Sequence, residues 1–242
     1  MPYSGGLARN IVQCLDDFGI PLRLSHTVTE IRGKDRLEGV TIAKVDEANG
    51  RKPIPGTEEY IECDTLLLSV GLIPENELTR AGGIELDRAT NGAYVNQYRE
   101  TMADGIYSCG NVLHVHDIVD FVSEEANIAG HAAADKVLGR TKETKKSITV
   151  KAGHGVRYTV PERIDLSDST ETVRIFFRVT DIFKKVQLVC EDAAGNVLSK
   201  QGKSAVAPGE MESLELKPEV LSALLNSDTE EITVCLKELG VK

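Results

Sequence analysis

The sequence has no tryptophan and only five phenylalanines, and its five cysteines stand far apart, at positions 14, 63, 109, 190 and 235. An odd, scattered set without a C-x-x-C pair excludes a simple dithiol redox centre and argues against disulfide staples or a zinc ribbon. A reducing cytoplasm is the compartment that this usage suits. No apolar run approaches the length of a membrane span, and the opening "MPYSGGLARN" has no apolar signal core. Long basic stretches are missing too. The densest, "RTKETKK" (Arg140–Lys146), reads as a solvated linker, and the formal net charge is −10. Nucleic acid and anionic membranes are not attracted to such a field. The G-x-G-x-x-G turn that cradles a dinucleotide pyrophosphate is absent; "SGGLARN" (Ser4–Asn10) has the wrong spacing and no strand before it.

What remains is a chain of 242 residues, 41% hydrophobic and 27% charged, enough for one large domain or two ordinary ones. Leu7, Ile11, Val12, Leu15 and Phe18 fall on one helical face, and Gly19 with Ile20-Pro21 stops that helix. "LRLSHTVTEIRG" and "LEGVTIAKVD" read as strands, followed by a turn-rich polar excursion, Asp46–Glu59. The pattern then changes. "TLLLSVG", ending at Gly71, and "GIYSCG", ending at Gly110, are apolar runs of strand length that suit parallel strands covered on both faces. An Ala-rich segment from Val119 to Leu138 predicts a helix with Gly139 as its stop. This is the organisation of an α/β nucleotide-binding sheet, whose ligand lies beyond the carboxyl ends of the strands. After Arg140–Lys146 the period becomes two: "ETVRIFFRVTD", "KKVQLVCED", "MESLELK" and "EEITVCLKE" predict a β-sandwich over residues 147–242, with one short helix opened by Pro218.

The stretch "GIYSCGNVLHVHDIVD" (Gly105–Asp120) carries the functional question. His114 and His116 supply two metal ligands where a site wants three or four, with Asp117, Asp120 and Glu124 near in sequence, and we assign no metal. The expectation for the histidines is a loop near a cofactor, one of them exposed. The nucleotide reading is better supported. A strand ending in Gly110 lets the backbone approach a ligand closely. The Asn111 amide can bond a sugar hydroxyl, and the free N–H groups at a helix start near Val119 favour a developing negative charge.

"TLLLSVGLIPENEL" followed by "ETMADGIYSCGNV" resembles the paired signatures of the flavoprotein reductases with two dinucleotide-binding domains, the thioredoxin-reductase-like family. More narrowly, the chain is similar to bacterial NAD(FAD)-dependent dehydrogenases, over Met1 to about Gly139. Thr101, Gly105, Ile106, Tyr107 and Gly110 match the late FAD motif; the family's ribityl-binding aspartate is Asn111 here. The resemblance implies FAD and NAD(P)H as cofactors, with Gly71, Gly110, Asn111, Val112, Val119 and Asp120 bordering the flavin. In that family, backbone N–H groups at the helix start stabilise charge on reduced flavin. The histidines would then lie between the ribityl and ring contacts, and a proton-transfer role for either stays open. By the same resemblance "SGGLARN" lies where the adenosine ribose sits; the segment "PYSGGLARN" has one arginine, Arg9, and no basic pair for a 2′-phosphate, which leans toward NADH.

The fold expected is therefore α/β: a partial FAD/NAD(P)-binding Rossmann-like unit and a C-terminal Ig-like β-sandwich. Residues 1–60 would be the C-terminal half of an NAD(P)-binding domain, 61–140 that of an FAD-binding domain, and 147–242 the sandwich. With half of each dinucleotide site, the chain is expected to be the C-terminal part of a longer oxidoreductase, inactive alone and homo-oligomeric in the whole protein. The resemblance suggests an oxidoreductase partner such as a glycerol-3-phosphate dehydrogenase. The alternative is a non-catalytic partner-binding or assembly module, in which the sandwich docks a partner subunit.

Overall fold

The computed structural model describes residues 2, 8–168 and 171–238; the expectations for Ser4–Leu7 lie outside them. By packing, the chain forms two units, Met1–Gly71 and Leu72–Lys242. The architecture is mixed α/β. Among the described residues no helix is long and apolar enough to cross a membrane.

In the first unit, α1 (Ala8–Cys14) runs into a 3-10 turn, Asp16–Phe18, and stops at Gly19. A φ of 64° lets the Gly19 N–H return to the Asp16 carbonyl. Four strands follow: β1 (His26–Arg32), β2 (Gly39–Asp46), β3 (Lys52–Pro53) and β4 (Glu59–Glu62). β2 pairs antiparallel with each of the other three. It carries Val40, Ile42, Ala43 and Val45, the buried apolar side chains among the described residues of this unit.

"TLLLSVG" forms no strand. Leu67, Leu68 and Val70 are 88%, 71% and 89% exposed, and no described residue makes a ladder with the run. Its composition is that of a strand covered on both faces, but such a strand takes its hydrogen bonds from two neighbours. "GIYSCG" likewise supplies a single antiparallel bridge, Tyr107 to Glu100, in place of the expected parallel strand.

The second unit begins with α2 (Glu77–Ala81) and irregular chain, reaches a 3-10 turn at Gly110–Val112, and continues into α3 (Val119–Val137). α3 ends as the sequence predicts. The Gly139 N–H bonds the Lys136 carbonyl and the Arg140 N–H reaches Asp135, a Schellman closure with Gly139 at φ 64°. The remaining elements are β5 (Lys146–Ala152), β6 (Val156–Val160), β7 (Arg163–Leu166), β8 (Val173–Val179), β9 (Phe183–Asp192), β10 (Val197–Val206), β11 (Glu212–Leu216), α4 (Pro218–Leu225) and β12 (Glu231–Glu238).

These strands make a five-stranded sheet, β10-β9-β12-β5-β7, and a three-stranded sheet, β11-β8-β6. All pairs are antiparallel except β12 with β5. Both sheets feed one apolar core that includes Ile148, Ile164, Phe177, Leu188, Leu216 and Ile232, and α4 adds Leu221 and Leu224. Each such side chain contributes about 1.5–3 kcal/mol by burial.

The core accounts for one face of β8. On its other face Phe176 is only 4% exposed, because the loop that precedes α3 lies over it. A second contact joins β6 and β7 to the chain around Val95. Tyr158 and Val160 share a cluster with Ile84, Ala93, Val95 and Leu113. Asn96 bridges Arg163, and the Gln97 side chain pairs with the Asp165 backbone in both directions, at 2.6 and 2.8 Å. Gly92 makes the approach possible: a Cβ there would sit 1.8 Å from the Leu113 carbonyl oxygen. The polar run Arg140–Lys146 thus marks an exposed connection between packed parts of one unit, not a gap in packing.

Candidate functional site

The turn Gly110–Val112 sits on α3, and a Cβ at Gly110 would meet Val122 Cγ1 at 3.3 Å. Gly110 has φ 73°, a conformation that suits glycine. The Asn111 side chain accepts the His116 N–H through Oδ1 at 3.1 Å, closing the loop on itself. Its oxygen therefore serves the protein, and its NH2 group is the end available for a ligand. The Val112 carbonyl accepts from Asn76 Nδ2 at 2.7 Å, and the same nitrogen reaches the Asn91 carbonyl at 2.7 Å. Asn76 is buried in "PENEL", so one side chain ties the two sequence signatures together.

α3 starts without a side-chain cap. Ile118 is its N-cap residue, and Val119, 71% exposed, stands at the first position. Asp120 is exposed in the first turn and also lines a cavity of about 770 Å³ along α3, with Tyr98, Glu124, His131 and Arg140. Gly110, Asn111, Val112, Val119 and Asp120 belong to one unit. Gly71 closes the other, at φ 99° in open surroundings.

The histidines differ from expectation. Neither is exposed: His114 is fully buried and His116 is 8% exposed. Both turn inward, onto Glu125 of α3. Glu125 Oε1 receives Arg99 Nε at 2.8 Å and His114 Nε2 at 3.1 Å; Oε2 receives the Gly110 N–H at 2.7 Å and His116 Nε2 at 3.0 Å. An ionised carboxylate only accepts, so both imidazoles carry their proton on Nε2. Neither Nδ1 has a partner.

Burial alone would raise the Glu125 pKa, but the two imidazole N–H donors and the Arg99 guanidinium outweigh it and hold the carboxyl well below its usual range. Burial lowers the His114 pKa against the pull of Glu125, so this imidazole is neutral at pH 7. The neighbouring Cys109 thiol is pushed up by burial and then by Glu125, which makes it a poor nucleophile.

His114, His116 and Glu125 are grouped closely enough to meet a cation. Arg99, 2% exposed and held at φ 67°, already balances the carboxylate there. The sequence reading missed Arg99, Glu125 and Asn76. One signal was available for Glu125. It follows Phe121 and Val122 by four and three residues and precedes Ala129 by four, which places an acid on the buried stripe of the helix.

The glycine turn therefore lies on the first turns of a helix whose start has no side-chain cap. The chain belongs to the pyridine nucleotide-disulphide oxidoreductase family, whose pattern matches residues 5–134, more than half of it. It is similar to the NADH oxidase of Streptococcus pyogenes, 28% identical over 116 residues, 48% of this chain and 22% of that protein. It is also similar to the CoA-dependent NAD(P)H sulfur oxidoreductase of Pyrococcus abyssi, 24% identical over 50% of this chain and 25% of that protein. A third relative is the nitric oxide reductase FlRd-NAD(+) reductase of Escherichia coli, 27% identical over 57% of this chain and 36% of that protein. The chain thus spans between about a fifth and about a third of the length of these curated relatives. Thioredoxin reductase of T. acidophilum superposes with a TM-score of 0.44 at 26% identity, covering 52% of this chain and 40% of that one.

Proposed function

We propose that residues 61–140 supply the C-terminal half of a flavin site, and residues 1–60 that of a pyridine-nucleotide domain, in an FAD-dependent, NADH-linked oxidoreductase. The observation that carries this reading is the uncapped start of α3 packed beside the Gly110–Val112 turn. The residues fit a flavin. Gly110 keeps a side chain out of the turn, Asn111 keeps an amide donor, and α3 offers unpaired backbone N–H groups.

FAD, when bound, takes a hydride from reduced nicotinamide and passes reducing equivalents to an acceptor. The chain's own part is positioning. The Val119 and Asp120 N–H groups stabilise negative charge at the ring edge, and Asn111 donates to a hydroxyl. The absence of a C-x-x-C pair favours an acceptor reduced without a dithiol of this chain. The NADH preference rests on the lack of a basic pair in the segment around Arg9 that would hold a 2′-phosphate. We read the two facing sheets of residues 147–242 as an Ig-like sandwich that braces the loop before α3.

The test is made on the longest product of the gene. Near-stoichiometric flavin absorbance, bleached anaerobically by NADH, is the expected result. A product that stays colourless with added FAD, yet co-purifies with a partner, supports the assembly-module alternative.

A further inference from the structure

We infer that Glu125 is a positioning residue of the candidate flavin edge, holding the Gly110–Asn111 turn against α3 through the Gly110 N–H while Arg99 and the two histidines fill its remaining acceptor positions. The inference deepens the flavin reading above and rests on it.

A carboxylate has about four acceptor directions. Here four donors use them, and they come from separate stretches of chain: Arg99 before the motif, Gly110 in the turn, and His114 and His116 in the loop. Glu125 stands six residues beyond Val119, about 9 Å along the axis from the exposed helix start. The turn and the helix start, the two parts of the proposed site, therefore move as one body about this side chain. Phe176 and Phe121 close the cluster beside His116, and Tyr158 and Phe176 do so beside His114. Low local polarity strengthens each bond and makes an unmet donor costly. Arg99 supplies the one full positive charge that the carboxylate needs, so the cluster is closed without a metal.

The geometry makes a residue-level prediction. In Glu125→Gln one oxygen becomes an NH2 donor. The remaining oxygen turns to the guanidinium of Arg99, which leaves the NH2 facing Gly110 and His116. Gly110 then loses its acceptor, and the His116 imidazole must offer a lone pair at Nε2 and carry its proton on Nδ1. His114 keeps the Nε2–H form. Adding Arg99→Met releases the amide oxygen to turn back toward Gly110. The double variant therefore restores the Gly110 bond and His116 to the Nε2–H form, and it leaves no buried charge unpaired, so it guards against misfolding of the single variant.

The experiment is nitrogen-15 NMR of the full chain, reading the imidazole nitrogens and the Gly110 amide, with the FAD dissociation constant measured by equilibrium dialysis on the longest product of the gene carrying the same substitutions. Unaltered protein should show both imidazoles as Nε2–H and a downfield, slowly exchanging Gly110 amide. Glu125→Gln should move the Gly110 signal upfield, switch the His116 tautomer and weaken FAD binding about tenfold, the order of one lost charge-assisted hydrogen bond. The double variant should recover most of all three. A Gly110 amide and a His116 tautomer unchanged by Glu125→Gln would overturn the inference. If both change as stated but the longest product of the gene shows no FAD binding, Glu125 does hold the turn and the flavin reading alone fails.

Discussion

Glu125 Oε2 lies 2.7 Å from the backbone nitrogen of Gly110, across fifteen residues of sequence. An acid on the buried stripe of a helix is thereby bonded to the glycine of a turn that a nucleotide-binding strand was expected to end in. The stabilities and titrations of the surrounding residues follow from this arrangement.

Asn111 holds the loop through its oxygen and, on the flavin reading proposed above, meets the cofactor through its amide, and the two roles separate by substitution. Asn111→Leu removes the acceptor of the His116 N–H and should cost about 1 kcal/mol in denaturant unfolding. In the flavin-bearing enzyme it should also weaken FAD retention by on the order of 1–3 kcal/mol. Asn111→Asp keeps the acceptor and should restore stability. Equal loss in both variants would remove the loop bond from the account.

Glu162 sets the pH dependence. Its Oε2 accepts the Val95 N–H at 3.0 Å, while Oε1 is buried without a partner. Burial pushes its pKa up to about 8 against the Val95 N–H, with Asp87 adding to the rise and Arg99 opposing it. A carboxyl with a folded pKa above its unfolded value binds its proton more tightly when folded. Stability from this group is complete below its unfolded pKa of about 4.5 and is lost as pH rises toward the folded value, by an amount on the order of a few kcal/mol. His114 acts in the opposite sense, since its lowered pKa removes stability as pH falls below its unfolded value. Urea midpoints should fall with rising pH in the unaltered chain between about pH 6.5, above which His114 no longer opposes the trend, and about pH 8. Glu162→Gln should stay flatter, and parallel curves for the two would contradict the assignment.

Phe176 covers the histidines from β8. Phe176→Ala should destabilise the chain by about 3 kcal/mol through the cavity it leaves. Water admitted beside His114 should also raise that residue's pKa toward the ordinary imidazole value, read by proton NMR titration. Lost stability with an unmoved His114 titration would show that the ring does not exclude solvent there.

Arg99 already balances the Glu125 charge, so zinc should not be retained. After incubation with zinc and dialysis, the metal content should be far below stoichiometric and the His114 and His116 signals unshifted. Stoichiometric zinc with both signals moved would replace the ion-pair account with a metal site.

Much of this was legible in the sequence, because it rests on local chemistry. The period of α3 and its stop at Gly139, the helix stop at Gly19, the alternation of β8, β9 and β12, and Pro218 at the first turn of α4 all follow from near neighbours. "TLLLSVG" failed as a strand because apolar composition reports the need for two neighbours, not their presence. Arg99 and Phe176 were hidden for the opposite reason. Each is buried by chain remote in sequence, and neither an arginine in "YRET" nor the first phenylalanine of "IFFR" announces its partner. The histidines were placed in the right loop with the wrong exposure, since H-x-H says nothing of a glutamate nine residues beyond the second histidine.

The central claim is that a flavin borders the Gly110–Val112 turn and the start of α3. Amide NMR of the longest product of the gene, titrated with FAD, tests it most directly. The account predicts saturable shifts concentrated at Gly110, Asn111, Val119 and Asp120, and their weakening in Asn111→Leu. Shifts confined to other residues, such as Tyr98 and His131 in the cavity along α3, or none at saturating FAD, would contradict it.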